Sequence, residues 1–201
     1  MRWSKTSLVY SFRSCFDGAA PPTPRFMIFH ETKLQGVFEI HLEPKSDERG
    51  FFARAWCQEE FESKGLNPRL VQCSISFNSR KGTLRGMHYQ APPYAETKVV
   101  RCTKGSIYDV VVDLRLDSAT YKNWIAVLLT ATNRHMVYVP EGCGHGFLTL
   151  ENESEIFYQM SEFYNVEAAR GVRWNDPAFQ IAWPEKVEVI SERDQGYPDF
   201  G

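Results

Sequence analysis

Two of the five histidines stand in short motifs that could carry acid–base or metal chemistry. His88 follows Gly82 after five intervening residues, and His145 ends the run Pro140-Glu141-Gly142-Cys143-Gly144-His145. An imidazole titrates near neutral pH and is also the commonest metal ligand. Either residue could instead be a core histidine satisfied by hydrogen bonds. The neighbouring residues are needed to distinguish a functional histidine from a structural one.

The spacing around both histidines resembles the two motifs of the cupin barrel, the double-stranded β-helix. In the second motif, Pro and Gly turn the chain, and the final His points from the next strand into the barrel mouth. Metal-binding cupins continue the first motif as His-x-His and then Glu, whereas here Gln90 takes the second ligand position and Glu96 stands slightly beyond the usual Glu. Because amides bind transition ions poorly, we expect no metal. A metal-dependent cupin isomerase or oxygenase using His88, His145 and Glu96 is the alternative.

Basic side chains gather around the first motif. Arg85 and Lys98 flank His88, and Arg49 lies upstream in Asp47-Glu48-Arg49-Gly50-Phe51-Phe52. Burying such groups without partners costs on the order of several kcal/mol each, which a polyanionic ligand would offset. An Arg side chain binds phosphate oxygens in pairs. We therefore expect a phosphate-bearing ligand, with surface salt bridges as the alternative for each arginine.

The elements that must position these residues are short β-strands. Apolar runs rich in Val, Ile, Tyr and Phe alternate with turn residues. The predicted strands are 71–77, 97–103, 107–114, 125–130, 135–139 and 155–160. Such even spacing is typical of an antiparallel sandwich or barrel. One short helix is predicted from Gln58 to Lys64, with Gly65 as its C-terminal cap. We thus predict an all-β fold, a double-stranded β-helix (cupin jelly roll) with one or a few short helices.

Composition and charge exclude several classes of protein. The chain has 201 residues, with 23 basic and 25 acidic residues and a net charge of −2, so it carries no overall basic field for nucleic acid or an anionic membrane. No uncharged apolar run approaches the ~18 residues of a membrane span. The five cysteines include no C-x-x-C pair, which argues against a disulfide framework or a structural zinc site. We expect a soluble, cytoplasmic protein that binds neither nucleic acid nor membrane.

The first 26 residues differ in composition from the rest. They are rich in Arg and Ser, contain Asp17 as the single acidic residue, and run into the proline-rich segment 19–24. We interpret 1–26 as a disordered leader, or as the result of a start assigned too far upstream, with Met27 as the functional start. An organelle transit peptide is the alternative. Residues 27–201 are expected to form a single domain.

Several longer motifs follow one another in a characteristic order. They are Asp47-Glu48-Arg49-Gly50-Phe51-Phe52, the segment 81–93 around His88, Lys98-Val99-Val100-Arg101-Cys102, the segments 109–115 and 140–147, Trp174-Asn175-Asp176-Pro177 and Trp183-Pro184. Together they resemble the dTDP-4-dehydrorhamnose 3,5-epimerase family of nucleotide-sugar cupins. The likeness covers nearly everything after Met27.

The resemblance implies an epimerase that inverts C3 and/or C5 of a nucleoside-diphosphate 4-keto-6-deoxyhexose through an enolate. The type reaction converts dTDP-4-dehydro-6-deoxyglucose to dTDP-4-dehydrorhamnose. Both carbons flank the carbonyl, so a base must remove a proton and an acid on the opposite face must return one. His88 matches the family's base, Asp194 the carboxylate that orients it, and Tyr158 the acid. Lys98 is placed to stabilise the enolate oxygen.

The same resemblance implies the binding residues and the partners. Arg49 and Arg85 would hold the diphosphate. The residues implied to line the site are Phe52, Gln72, His145 and Tyr164. The family reaction requires no cofactor, and the family forms homodimers, as the open β edges here also suggest.

Two binding positions depart from the family pattern. Arg54 stands where members usually carry a carboxylate, and Ser74 stands where they usually carry the Asn of Gln-x-Asn. The catalytic positions are intact, so we expect the chemistry to be kept, with the base, the sugar and the number of epimerised centres left open. A non-catalytic sugar-nucleotide binding protein is the alternative from another class. The presence of both His88 and Tyr158 argues against it, because simple binding needs no acid and base on opposite faces.

Overall fold

Strands with alternating side chains build two antiparallel sheets that pack face to face. The computed structural model describes residues 26–200, and within this range the chain forms thirteen strands and two short helices. In chain order they are β1 (Met27–Glu31), β2 (Phe38–Leu42), β3 (Lys45–Asp47), β4 (Gly50–Phe52), α1 (Gln58–Glu62), β5 (Gln72–Asn78), β6 (Leu84–Gln90), β7 (Lys98–Lys104), β8 (Ser106–Asp113), β9 (Trp124–Thr130), β10 (Met136–Val139), β11 (Cys143–Thr149), β12 (Ser154–Met160), β13 (Ala169–Gly171) and α2 (Glu192–Gln195). This confirms the all-β prediction.

Strands β5 to β12 wind as a jelly roll. The six-stranded sheet has the order β1-β2-β10-β7-β12-β5, and the five-stranded sheet has the order β13-β6-β11-β8-β9. Successive strands cross from one sheet to the other, except that β8 and β9 are neighbours. This winding makes strands that are distant in sequence adjacent in space, because β11 inserts between β6 and β8 and β12 inserts between β5 and β7. The strands β3 and β4 form a separate hairpin.

Apolar side chains fill the space between the sheets and also cover part of the outer face of each sheet. Val100, Val111, Val137 and Ile156 are almost completely buried in the cluster between the sheets. On the outer face of the six-stranded sheet, Phe61 of α1 is fully buried in a second cluster of apolar residues. Burying a Phe side chain contributes about 1.5–3 kcal/mol, so Phe61 stabilises the packing of this short helix on the sheet.

The helix predicted over 58–64 is present but two residues shorter. Gly65 adopts φ +70° and its N–H bonds to the Glu62 carbonyl at 2.9 Å, as a C-terminal cap requires. The Lys64 N–H bonds to the Phe61 carbonyl at 3.0 Å. Because this bond spans three residues rather than four, the last turn tightens and the α-helix ends at Glu62.

Strand β5 reverses the usual arrangement of polar and apolar faces. Its polar residues Gln72, Ser74 and Asn78 share the face that points between the sheets, whereas Ile75 and Phe77 are 64% and 51% exposed on the outer face. Alternate residues of a strand lie on opposite faces, so the sequence of β5 places a polar wall inside the barrel. This polar wall belongs to the part of the barrel that carries the candidate site.

The strands predicted from apolar runs match the structure to within one residue at each end. The predicted leader, 1–26, lies outside the described residues except for Phe26. Within the described residues, neither helix is long or apolar enough to cross a membrane.

Candidate active site

The two motif histidines lie side by side on neighbouring strands. His88 of β6 and His145 of β11 are directly opposite each other in the antiparallel register. Gly86 makes this close pairing possible, since it adopts φ +142° and a Cβ there would lie 2.5 Å from the Gly146 Cα. The glycines of the two motifs are therefore needed to bring the imidazoles together.

A carboxylate holds each histidine, and the first pair is His88 with Asp194. The Nε2 of His88 lies 2.7 Å from Oδ1 of Asp194, and the Gly86 N–H donates to Oδ2 at 3.2 Å. Burial alone would raise the pKa of Asp194, but the hydrogen bond and charge of His88 lower it below its usual value. The ionised carboxylate requires the proton on Nε2, which leaves Nδ1 with a free lone pair. This is the form in which an imidazole acts as a base.

The second pair joins His145 to Asp109 of β8 and is fully enclosed. The two side chains are at most 4% exposed, and His145 Nε2 lies 2.8 Å from Asp109 Oδ2. The other carboxylate oxygen, Oδ1, is buried and makes no hydrogen bond to any described residue. The sequence analysis gave Asp109 no role, although an acidic residue inside the valine-rich strand 106–113 is a signal that could have indicated one.

Tyr158 reaches the site from the opposite sheet. It lies on β12, and its ring centroid is 6.0 Å from that of His145, in an edge-to-face orientation. Burial raises the pKa of the Tyr158 phenol, the charge of Asp109 raises it further, and the Arg85 guanidinium opposes both. The phenol is therefore protonated at neutral pH, which is the state a proton donor needs.

Lys98 lies on the floor of the site and is almost completely buried. Its Nζ donates to the His88 carbonyl at 3.2 Å and forms an ion pair with Glu96 at 3.2 Å. The Gln90 amide also donates to Glu96, at 3.3 Å. Glu96 is thus engaged by a lysine and an amide, and the ammonium has a compensating charge in the absence of substrate.

The donor atoms needed for a metal-dependent cupin do not converge. Among residues 26–200, His88, His145 and Glu96 do not form a group whose ligand atoms lie within 4.8 Å of one another. Each of the three is instead bonded to its own partner, which is Asp194, Asp109 or Lys98. These contacts fit acid–base chemistry better than a shared ion.

Arg85, Gln72 and Tyr164 border the same site. Arg85 donates to the buried Asn78 at 2.7 Å through Nε, which leaves the outer nitrogens of the guanidinium for a ligand. The Tyr164 N–H donates to the Gln72 side chain at 3.2 Å, and the Tyr164 ring is 56% exposed. The predicted residues His88, His145, Tyr158, Lys98, Arg85 and Asp194 are therefore brought together, with Gln72 and Tyr164 at the rim, and the roles assigned to them stay predictions.

Two further residues near His88 were missed by the sequence analysis. Tyr197 lies 6.3 Å from the His88 ring, measured between centroids, and packs directly against Gly171, the cross-strand neighbour of His88. Arg193 donates to the Tyr197 hydroxyl at 3.0 Å, and its contact with Tyr164 raises the pKa of the guanidinium. Arg193 could have been suspected from its place beside Asp194, whereas no sequence pattern indicated Tyr197.

Arg49 and Phe52 are not brought to this site within one chain. They lie on the β3–β4 hairpin, where Arg49 pairs with Asp47 and Phe52 is 77% exposed. Phe52 lines a surface cavity together with Arg101 and Thr103, which alternate along β7 with core residues and so lie on the outer face of the six-stranded sheet. The sheet itself separates the hairpin from His88.

Arg54, one of the two departures from the family pattern, has a structural role. Its guanidinium donates to Glu60 at 2.9 Å and stacks over the Phe26 ring at 4.4 Å. Glu60 in turn accepts the backbone N–H of Met27 at 3.1 Å. This network holds the beginning of β1 against α1. The Arg54 guanidinium is therefore occupied by contacts within its own chain.

Comparison with known proteins decides the family. The family model described as dTDP-4-dehydrorhamnose 3,5-epimerase matches residues 31–201. The chain belongs to this family. A relative of that name from Shigella flexneri is 43% identical over 156 residues, covering 76% of this chain and 86% of the relative.

Solved structures of family members have the same fold. The epimerase from Elizabethkingia anophelis superposes with a TM-score of 0.85 at 36% identity, covering 88% of this chain and 97% of that one. The epimerase from Bacillus anthracis, solved with TDP and PPi bound, gives a TM-score of 0.83 at 36% identity, with 87% and 99% covered. These matches confirm both the predicted family and the predicted jelly-roll fold.

Proposed function

We propose that this chain is a dTDP-4-dehydrorhamnose 3,5-epimerase, which inverts C3 and C5 of a nucleoside-diphosphate 4-keto-6-deoxyhexose without a cofactor. The observation that carries the proposal is the placement of the His88–Asp194 pair and Tyr158 on opposite sheets of one barrel. Such a placement offers a base and an acid to the two faces of a sugar ring. The names of the relatives and the nucleotide bound in the Bacillus anthracis structure support the same substrate class.

The proposed reaction proceeds by proton abstraction next to the ketone. His88 removes the proton from C3 or C5 through Nδ1, and the C–H electron pair moves into the enolate, whose negative oxygen is stabilised by the Lys98 ammonium. The new positive charge on the imidazole faces the Asp194 carboxylate at 2.7 Å. Tyr158 then donates its proton to the opposite face of the same carbon, which inverts the centre and restores the ketone.

The proposed assembly is a homodimer in which each copy completes the site of the other. Arg49 and Phe52 lie on the outer face of the sheet in their own chain, and Ile75 and Phe77 form an exposed apolar surface on that face. Exposed apolar patches of this kind mark interaction surfaces. A second copy covering this face would bury these side chains and carry its hairpin to the barrel mouth.

The proposed location is the cytoplasm. The four described cysteines, Cys57, Cys73, Cys102 and Cys143, are all free thiols. Burial raises the pKa of Cys102 to about 11 and that of Cys143 to about 12. Protonated, buried thiols without disulfides are compatible with a reducing compartment.

The deciding experiment is NMR in deuterated water with dTDP-, UDP-, CDP- and GDP-linked 4-keto-6-deoxysugars. We expect deuterium at both C3 and C5 with the dTDP sugar. Exchange at C3 alone would show that the protein is a mono-epimerase. Binding without exchange would show that it is a non-catalytic sugar-nucleotide binding protein. Loss of exchange after chelation, with recovery on adding a metal, would overturn the cofactor-free mechanism.

A further inference from the structure

The three histidines outside the candidate active site form a cluster of their own. His30 lies on β1, His41 on β2, and His135 directly before β10. These are three adjacent strands at the edge of the six-stranded sheet that is farthest from β5. Strands β10 and β7 separate β2 from β12, which carries Tyr158. The edge cluster, defined as His30, Glu39, His41 and His135, is therefore distinct from the active site.

The donor atoms of the edge cluster converge on one carboxylate. Oε1 of Glu39 lies 2.8 Å from His41 Nε2 and 2.9 Å from His135 Nδ1. The ligand atoms of these three residues all lie within 4.8 Å of one another. They share a face of the sheet because Glu39 and His41 are alternate residues of β2, and His135 lies across from His41. His30 adds a further imidazole, whose ring centroid is 4.4 Å from that of His41.

Electrostatics disfavour a doubly protonated pair of imidazoles here and are compatible with a divalent cation between these groups. The His41 and His135 rings are stacked, with centroids 3.6 Å apart and planes 15° from parallel. Two imidazolium ions at this distance repel each other, and one carboxylate cannot neutralise both. A single divalent ion placed between the donors would satisfy both imidazoles in their neutral form and the carboxylate in its charged form. The ion would carry the same double positive charge as two imidazolium rings, without the repulsion between those rings.

The donor set indicates which ions would bind. Two imidazole nitrogens and a carboxylate oxygen suit Zn²⁺ and neighbouring transition ions, whereas Mg²⁺ and Ca²⁺ prefer oxygen ligands alone. A cavity of about 640 Å³ adjoins His30 and Glu39 and is bordered on the other side by β9. It leaves the Glu39 side of the edge cluster open to solvent.

We propose that Glu39, His41 and His135 bind a Zn²⁺-class transition ion, with the His30 ring packed beside His41. The ion would connect β2 to the start of β10. Its role would be structural, because the cluster lies away from the residues of the proposed reaction. The proposal does not depend on the epimerase activity.

The test uses the full-length chain without a histidine tag. After chelator treatment and gel filtration, zinc chloride is titrated calorimetrically, and bound zinc is counted by elemental analysis. We expect one zinc ion per chain. We also expect a melting temperature raised by about 5–10 °C when free zinc is a hundred times Kd. Magnesium chloride at the same concentration should change neither measurement, and failure to bind zinc would overturn the proposal.

Matched variants locate the ion. His41→Asn and His135→Asn should each weaken zinc binding by at least about 100-fold, and His30→Asn by about 10-fold. His145→Asn, which alters the other histidine cluster, should bind zinc like the unmodified chain. Equal zinc binding by the unmodified chain and His41→Asn, or loss of zinc in His145→Asn, would overturn the assignment.

Cobalt gives a readout that does not depend on whether the variants fold. Co²⁺ added to the unmodified chain should produce the visible absorption of a nitrogen- and oxygen-ligated ion, and one equivalent of Zn²⁺ should abolish it. A Co²⁺ spectrum identical to that of the hydrated ion would contradict the site. Solvent deuterium exchange by the zinc-free chain should match that of the zinc-loaded chain within twofold, which separates this site from metal-dependent catalysis.

Discussion

Two regions of this molecule combine histidine with carboxylate, and they differ in how many imidazoles share one anion. In the candidate active site, His88 has Asp194 and His145 has Asp109, each at hydrogen-bond distance. In the edge cluster, Glu39 alone faces both His41 and His135. An imidazole with its own carboxylate can gain a proton at little electrostatic cost, which is what a catalytic base needs. Two imidazoles with one carboxylate are better matched to a divalent cation.

The two histidine–carboxylate pairs of the candidate active site differ in burial. His88 has 40% of its side chain exposed, whereas His145 has 4%. A base must reach the substrate, so the first pair opens to the barrel mouth. The second pair is enclosed and can hold a fixed orientation, which suits a residue that positions the sugar or its neighbours.

Removing the exposed imidazole should have the largest effect. His88→Ala eliminates the proposed base, and we expect epimerisation and solvent deuterium uptake at both carbons to fall by about 10³–10⁴-fold. Binding of dTDP, measured by calorimetry, should change by less than threefold, because the residues proposed to hold the diphosphate are Arg49 and Arg85. Full deuterium exchange in this variant would remove His88 as the base.

Replacing the carboxylate of that pair should lower the catalytic rate somewhat less. In Asp194→Asn, the amide can hold the imidazole in the wrong tautomer, and the imidazolium loses its counter-charge. We expect kcat to fall by about 10²–10³-fold, with deuterium exchange reduced in parallel. An unchanged kcat would mean that Asp194 serves only to anchor α2 to β6.

Tyr158→Phe should separate proton removal from proton return. The ring is kept, so the barrel interior stays filled, but the proton donor is lost. We expect net epimerisation to slow by about 10²-fold, while deuterium exchange persists at one carbon, measured by NMR of the recovered sugar. Equal turnover in the variant and the unmodified chain would count against Tyr158 as the acid.

The enclosed pair should respond more weakly than the exposed one. Asp109→Asn removes the charge that faces His145, and we expect kcat/KM to fall by about 10-fold. The effects of Asp109→Asn and His145→Asn should not add in the double variant, because the two side chains act as one unit. Additive losses in the double variant would show that they act separately.

The smallest effect is expected at the edge cluster. His135→Asn should change kcat/KM for epimerisation by less than twofold, because the cluster lies outside the proposed reaction. A steady-state assay on the zinc-free chain measures this directly. A loss comparable to that of the active-site variants would mean that the two histidine regions are coupled and that the comparison drawn above is wrong.

The six strands predicted from apolar runs are all present, but they are fewer than half of the thirteen strands in the described residues, and β6 and β11, which carry His88 and His145, are not among them. Apolar runs such as 98–104 and 106–113 were found to within one residue because β-branched side chains favour strands. Strands β6 and β11 contain glycines and few β-branched residues, so composition did not predict them, although the cupin motif placed His145 on a strand. Their glycines are required by the close approach of Gly86 to Gly146.

The candidate site was predicted in part. Residues in recognisable motifs, such as His88, Lys98 and Arg85, could be named from the sequence. Asp109 was overlooked although an acidic residue in a valine-rich strand is a signal, and only its partner His145, 36 residues away, remained unknowable from the sequence. Tyr197 could not be assigned a role, because its contact with Gly171 joins segments 26 residues apart. Likewise, nothing in the sequence showed that Arg49 lies beyond the six-stranded sheet.

The sequence by itself determined the family, the all-β character and the residue types available for acid–base chemistry, because local side-chain alternation and short motifs encode these properties. The family resemblance already paired His88 with Asp194. Only the tertiary structure decided which carboxylates the other histidines meet, Asp109 for His145 and Glu39 for His41 and His135. Those contacts depend on the order in which the jelly roll inserts β11 beside β8 and β10 beside β2. Strand order is set by contacts between distant segments, and local propensity carries no information about them.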